Sequence, residues 1–237
     1  MSEINTVSDQ NFIDLFDLRP RKGDLKKMEI ILAAIDVMAD EGIEKTTYEA
    51  IASRIGTRRA HVAYYYKDKN DILMSAIRYI MANYQQLLVE NMEGTDNGVE
   101  MLMKYVEGPF LWAERFPGQL KVMLLFYYLC TIKTEFKDLH DQIRKSGVER
   151  IQFILTNKMN ENFESHEAQQ VAKMIQNSIS GAILDCATTH GRSLERGLSE
   201  LKKYVLVLLG QGEKNEGNRN STLVAYDSDN RNGSRPY

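Results

Sequence analysis

The sequence predicts an all-α protein with a small N-terminal helix-turn-helix head and a larger C-terminal helical body. Apolar residues recur at spacings of three and four along most of residues 25–209, which is the period of an amphipathic helix. No segment of any length shows the two-residue alternation of a strand. Between residues 47 and 69, two short helical patterns flank a glycine, and the second pattern ends in three consecutive tyrosines. This segment is the most distinctive part of the chain.

Charge is distributed unevenly along the 237 residues. The net charge is −3, which argues against a protein coated in nucleic acid. Residues 54–69 nevertheless carry five basic side chains against one acidic side chain, namely Arg54, Arg58, Arg59, Lys67 and Lys69 against Asp68. The sequence therefore predicts a local basic patch on an otherwise acidic chain.

The remaining composition favours a cytoplasmic protein. Cys130 and Cys186 lie in apolar surroundings and form no CxxC pair, so we expect small buried side chains in a reducing compartment. Residues 1–11 are polar and acidic, unlike a signal peptide. The longest apolar runs, 122–130 and 204–209, are far shorter than a membrane span.

Three helices are predicted for the head. The first covers residues 25–40 and ends at Gly42, where the chain needs a helix-terminating residue. Thr46 or Thr47 caps the second helix, whose inward residues are Ala50, Ile51 and Ile55. Gly56 supplies the turn. The third helix covers residues 58–66, and the residues expected to face its neighbours are Ala60, Val62 and Ala63.

Six helices are predicted for the body. Their ranges are 69–92, 99–116, 119–132, 135–159, 165–190 and 194–209, with Asp68 and Ser165 as caps and Gly108-Pro109 as a site of bending. The domain limits are then 25–70 for the head and 71–210 for the body. Residues 1–24 form a flexible arm, and residues 211–237, rich in Gly, Asn, Ser and charge, form a disordered tail.

A helix-turn-helix places its second helix in the major groove of DNA, where Arg can bind the O6 and N7 atoms of guanine. Groove-facing positions on the third helix are Arg58, Arg59 and His61. Residues near the helix ends are expected to grip the DNA backbone, namely Thr47, Tyr48, Tyr64, Tyr65 and Lys69. We expect Tyr66 to pack on the first helix instead.

Residues 26–73 resemble the DNA-binding head of the TetR family of bacterial transcriptional regulators. The resemblance rests on Gly42, Thr46-Thr47, Ile51-Ala52, Gly56, Tyr64-Tyr65-Tyr66, Lys69 and Ile72-Leu73. Two positions depart from the family pattern. Ala63 stands where many members have a tyrosine, and Lys67 stands where proline or another turn residue is frequent, so Tyr64 and Tyr65 are the expected substitutes in DNA contact.

The resemblance implies a homodimer that binds a near-palindromic double-stranded operator, with repression as the default outcome and the nucleoid as the bound location. It also implies dimerisation through the last two helices, about 165–190 and 194–209. The residues support this pairing, because Ser178, Ser180, Gly181 and Ala182 thin one helix and residues 204–209 are apolar on all sides.

Members of the family hold a small effector in the middle of the body. Aromatic, Met and Cys side chains make adaptable apolar walls, and the candidates here are Met103, Tyr105, Phe110, Trp112, Phe116, Phe126, Tyr127, Cys130 and Cys186. Ordinary core packing is the competing interpretation for each of them. Few charges fall in these segments, so the expected effector is apolar.

Two other function classes were considered. The four histidines are far apart in sequence, and HExxH, glycine-rich phosphate-loop and nucleophile-elbow motifs are missing, so we predict no enzyme, no cofactor and no metal site. A DNA-bound architectural protein with the same head but no small-molecule sensing stays open. Sequence does not separate it from a ligand-responsive repressor.

Overall fold

The computed structural model describes residues 25–159 and 163–211, and within these ranges all regular structure is helical. The helices are α1 (Leu25–Glu41), α2 (Tyr48–Arg54), α3 (Arg59–Tyr65), α4 (Lys69–Met92), α5 (Gly98–Arg115), α6 (Pro117–Ile132), α7 (Thr134–Asn157), α8 (Ser165–Thr188) and α9 (Leu194–Leu208). The predicted arm (1–24) and all but the first residue of the predicted tail (211–237) lie outside the described residues. The all-α prediction is confirmed.

The head is a three-helix unit built around α1. The buried stripe of α1 includes Ile31, Ile35 and Met38, and it packs with Ile51 of α2 and Val62 of α3 in one cluster. Gly42 adopts φ +84°, which lets the chain reverse direction directly after α1. Head and body share this cluster, because it continues into α4, α6 and the start of α7.

The body joins the head through α4, which is 24 residues and therefore about 36 Å long. A second buried cluster at the far end of the body comprises residues of α4, α5, α7, α8 and α9. A buried polar contact ties two of these helices together, since Arg150 of α7 donates a 2.6 Å hydrogen bond to Gln85 of α4. α5 runs unbroken through Pro109, and Gly108 allows close packing against Leu88 of α4.

Most predicted helix limits agree with the structure to within two residues, but two local predictions are wrong. Ser165 is the first residue of α8 and Glu164 is its N-cap, so the serine does not cap the helix. Ala60 is exposed rather than packed against neighbouring helices. Pro117 opens α6, because proline suits the first helical position, where no N–H donor is needed.

Among the described residues, no helix combines the length and the apolar character that a membrane span requires.

Candidate nucleic-acid interface

The helix-turn-helix is set by short local contacts. Thr47 caps α2, and its Oγ1 accepts a 3.1 Å hydrogen bond from the Ala50 N–H. Thr46 is buried, and its hydroxyl donates to the Gly42 carbonyl at 2.9 Å. Gly56 at φ +66° makes the turn between α2 and α3. These contacts fix the angle at which α3 leaves α2.

α3 has one buried face and one solvent face. Val62 is fully buried and the following Tyr66 is 7% exposed, so these two residues anchor α3 to the rest of the head. The prediction that Tyr66 packs inward is confirmed. On the opposite face Arg58, Arg59 and Ala60 are exposed, and Tyr64 is 80% exposed. Because Ala60 is small, this face has open space between the larger side chains on either side of it.

An ion pair crosses from α3 to α2. Arg59 Nε lies 2.6 Å from Glu49 Oε1, and both side chains are about two-thirds exposed. Arg58 is the N-cap residue of α3 in an extended conformation and makes no ion pair within the described residues. Of the two predicted groove-facing arginines, Arg59 is therefore held by an ion pair in the DNA-free protein, whereas Arg58 is not.

A chain of rings defines the other side of α3. Thr57 Oγ1 and His61 Nδ1 are 2.9 Å apart, within hydrogen-bonding distance. The His61 ring lies 5.3 Å from Tyr65, and Tyr65 meets Tyr64 edge-on at 5.2 Å. His61 and Tyr65 are half-buried, whereas Tyr64 projects into solvent. The structure thus brings these three predicted contact residues together.

The rim residues have partners of their own. Lys69 Nζ donates a 2.6 Å hydrogen bond to the Ile43 carbonyl, so this lysine holds the loop after α1. Partial burial, followed by the nearby carboxylates of Asp68 and Asp71, raises the pKa of Tyr48. Tyr48 therefore stays protonated at neutral pH and is able to donate a hydrogen bond to a phosphate. Arg54 pairs with Asp40 and points its charge back toward α1.

A cavity of about 110 Å³ lies in the body between α4, α5, α6, α7 and α8. Only two of the nine predicted ligand residues, Trp112 and Tyr127, line it. Tyr105 and Phe110 are buried in the far cluster, and Phe126 is fully buried in the cluster shared with the head. Of the remaining predicted residues, Met103 and Cys186 pack at the far cluster, and Phe116 and Cys130 pack at the shared one. The predicted set is spread over two cores and does not form a single pocket.

The cavity is not purely apolar. His140, Arg144, Gln176 and Ser180 also line it, among side chains that are otherwise mostly aliphatic, aromatic or Met. Burial, and then the Arg144 charge, lower the pKa of His140. Gln176 Oε1 is buried and accepts no hydrogen bond within the described residues. These polar groups converge on a space large enough for a small molecule.

Comparison with known proteins identifies the head. Residues 30–76 match the model of the bacterial regulatory proteins of the tetR family. This head is of the TetR family. The helix-turn-helix and the all-helical body are those of TetR-family transcriptional regulators.

Individual relatives are distant. A fatty acid metabolism regulator protein of Bacillus subtilis is 28% identical over 85 residues, which is 36% of this chain and 44% of that protein. The chain thus matches less than half the length of this curated relative. A transcriptional regulator from Rhodococcus has the same fold, with a TM-score of 0.68 at 17% identity, covering 77% of this chain and 95% of that one. A regulator from Saccharomonospora viridis, solved in complex with choline, gives a TM-score of 0.66 at 19% identity and covers 76% and 95%.

The sequence did not predict several residues that lie at the helix-turn-helix or line the cavity. Glu49 lies on the solvent face of a short helix and carries no motif, so only its distance to Arg59 reveals it. Ala60 was placed on the wrong face of α3. Arg144 and Gln176 stand on amphipathic helices at positions that a periodic pattern assigns to solvent. The departure at Ala63 is half-buried, and that at Lys67 is exposed beyond the end of α3.

Proposed function

We propose that this chain is a transcriptional regulator that binds a double-stranded DNA operator with α3 in the major groove. The exposed face of α3 carries the proposal. It presents Arg58, Arg59, Ala60 and Tyr64 on a short helix held rigidly by Val62 and Tyr66. A helix with two arginines near its N-terminus, and with only the small Ala60 exposed between them and the tyrosine, has the shape and donors for base edges.

The rim residues extend the proposed contact to phosphates. Thr47, Tyr48, Tyr65 and Lys69 surround α3, and each keeps a hydroxyl or ammonium donor. Lys69 combines two roles in this proposal, because the lysine that holds the Ile43 carbonyl also places a positive charge at the start of α4. Nδ1 of His61 faces Thr57. In this proposal, His61 therefore contacts a base only through the other edge of its ring.

A near-palindromic operator requires two heads, and the ends of the body supply a surface for pairing them. On α8, Met174 is 44% and Leu184 46% exposed, and on α9, Tyr204 is 42% and Val207 62% exposed. Gly181 has open space where a side chain would be, so a second helix can approach closely. Apolar exposure on these two adjacent helices supports a homodimer built on α8 and α9.

The cavity supports a ligand-responsive repressor over an architectural protein. α6 lines the cavity through Leu120, Met123 and Tyr127, and the same helix packs against α1 of the head, where Gly118 lies near Ala39. A ligand that displaces α6 would therefore also displace the head. The names of the relatives, a fatty acid metabolism regulator and a regulator bound to choline, are consistent with small-molecule sensing.

The direct test is selection of bound duplexes from a random DNA pool, followed by affinity measurements on the selected site at several salt concentrations. Arg59→Ala is expected to weaken binding by about 1–3 kcal/mol and to relax base preference at one position in each half-site. Arg115→Ala is a matched control, because this exposed arginine lies at the end of α5 in the body. Selection of no sequence, or equal binding by parent and Arg59→Ala, would show that α3 does not read DNA.

A further inference from the structure

We infer that the body cavity takes a small carboxylate with an aromatic or branched apolar body, rather than a cation or a purely apolar molecule. The inference rests on the proposed effector role of this cavity and specifies the chemistry of the effector. The expectation of an apolar effector came from nine residues, of which only Trp112 and Tyr127 line the cavity. Arg144 is the residue that decides the ligand class.

The charge of the lining is one-sided. Arg144 contributes a permanent positive charge, and the described lining contains no Asp or Glu. Asp141 lies one turn before Arg144 on α7 but is exposed and outside the lining. No ion pair involves Arg144 among the residues that the structure describes. Arg144 is half-buried. A guanidinium beside apolar walls, with no carboxylate in the lining, favours an anionic ligand because it can form charge-assisted hydrogen bonds with one.

Arg144 is held in position but keeps donors to spare. Its Nη2 donates to Asn177 Oδ1, which fixes the side chain between α7 and α8. Arginine has five N–H donors in a planar fork, so the remaining ones are available for a bidentate contact with a carboxylate. Asn177 thus plays the part of a positioning residue for Arg144.

Gln176 offers an independent sign of a missing ligand. Its Oε1 is buried without a hydrogen-bond donor among the described residues, and an orphaned buried acceptor is destabilising. Gln176 lines the same cavity as Arg144, and it directly precedes Asn177 in the chain. Rotation of the amide by half a turn presents Nε2 in place of Oε1, and Nε2 can donate to a ligand carboxylate. The rotation would therefore replace an acceptor that has no partner by a donor from which the ligand carboxylate accepts.

The rest of the lining sets the body of the ligand. Tyr84 and Trp112 meet edge-on with ring centroids 6.0 Å apart, and Met81, Met123 and Ile183 complete an apolar wall. A volume of about 110 Å³ is somewhat below the roughly 150 Å³ of an apolar cavity that accepts benzene. Unbranched Met side chains can move to admit one ring. An amine or quaternary ammonium of the same size would contact these rings, but the positive charge of Arg144 would repel it.

The test is calorimetric titration of the full chain with three ligands of equal shape and different charge, namely benzoate, benzyl alcohol and benzylamine. Benzoate should bind about tenfold or more tightly than the other two, since a charge-assisted contact adds that much. Arg144→Gln should weaken benzoate by a similar factor and leave benzyl alcohol unchanged. Lys145→Gln is the matched control, because Lys145 is the next residue on α7, is 78% exposed and does not line the cavity.

Three results would overturn the inference: benzylamine binding as tightly as benzoate, undiminished benzoate binding by Arg144→Gln, or no benzoate binding at millimolar concentration. If Arg144→Gln does not fold, the comparison of the three ligands on the parent chain still decides the ligand class. DNA affinity is measured separately without ligand. Benzoate binding without DNA binding would contradict only the proposed regulatory function, and DNA binding without benzoate binding would contradict only the ligand class.

Discussion

Glu49 of α2 holds Arg59 of α3 in an ion pair of 2.6 Å across the helix-turn-helix. Both side chains are largely exposed, so the pair adds little to stability. Its importance lies in DNA binding, because the carboxylate stands beside the proposed groove-facing arginine. On a site with a correctly placed guanine, we expect Glu49 to keep the Arg59 fork oriented. On any other sequence, we expect the same carboxylate to repel the phosphates and to keep Arg59 in the ion pair.

Glu49→Gln is therefore expected to strengthen binding to non-specific DNA several-fold and to reduce the ratio between operator and non-specific affinity. Removal of one negative charge near the phosphates should also steepen the dependence of affinity on salt. Fluorescence anisotropy with operator and scrambled duplexes measures both effects. Glu93→Gln removes the same charge at the far end of α4 and should behave like the parent. An unchanged affinity ratio in Glu49→Gln would mean that Glu49 has no role in specificity.

Lys69→Met tests whether a predicted phosphate contact is also a structural residue. The ammonium donates a 2.6 Å hydrogen bond to the Ile43 carbonyl, and its loss should lower the free energy of unfolding by about 1–2 kcal/mol. Urea unfolding monitored by circular dichroism gives this value. Lys67→Met is the control, since Lys67 is exposed and makes no hydrogen bond within the described residues. Equal stability of the two variants would show that the Ile43 contact contributes nothing.

The head was predictable in detail because its signals are local. Gly42 and Gly56 mark turns that need positive φ, and Thr47 and Asp68 cap helices through contacts within three residues. Each of these features is written in a few consecutive residues. Face assignment within α3 was less secure, because a seven-residue helix has too few turns for periodicity to place Ala60.

The cavity was not predictable from sequence for a different reason. It is formed by residues of five helices that are up to about one hundred positions apart, such as Met81 and Ile183. Aromatic residues were the best candidates available, but Tyr105, Phe110 and Phe126 satisfy core packing instead. Which apolar residue borders a void depends on how helices pack, and this information is not present in any one segment.

Lys133 links the body to the head and predicts an uncoupling variant. Its Nζ donates a 2.6 Å hydrogen bond to Asn70 Oδ1, which connects the end of α6 to the first turn of α4. Lys133→Met should bind benzoate like the parent but show a smaller change in operator affinity when benzoate is added. Coupling of this kind is worth roughly 0.5–2 kcal/mol. Operator titrations with and without benzoate measure it, and an unchanged response would place the coupling elsewhere, for example in the contact of α6 with α1.

His140 should make stability depend on pH. Burial, with a further contribution from Arg144, lowers the pKa of His140 in the folded chain, and Asp141 opposes this only in part. Below the ordinary value of about 6.5 the unfolded chain binds the proton first, so the free energy of unfolding falls with pH until the folded pKa is reached. Stability is therefore full above pH about 6.5 and declines below it. His140→Gln should flatten this decline in urea unfolding curves between about pH 7.5 and about pH 5. A decline identical to that of the parent would assign it to other groups.

Val207 provides the test of the dimer. This side chain is 62% exposed on α9, three residues after the exposed Tyr204. A buried unpaired carboxylate strongly opposes association, so Val207→Asp should convert a micromolar dimer into monomers in light scattering. Ile132→Asp is the matched control, because Ile132 is 56% exposed at the end of α6, away from α8 and α9. The variant should also lose cooperative binding to a two-half-site operator while keeping weak binding to one half-site. A monomeric parent would contradict the proposed dimer, and a dimer that survives Val207→Asp would move the interface off α8 and α9.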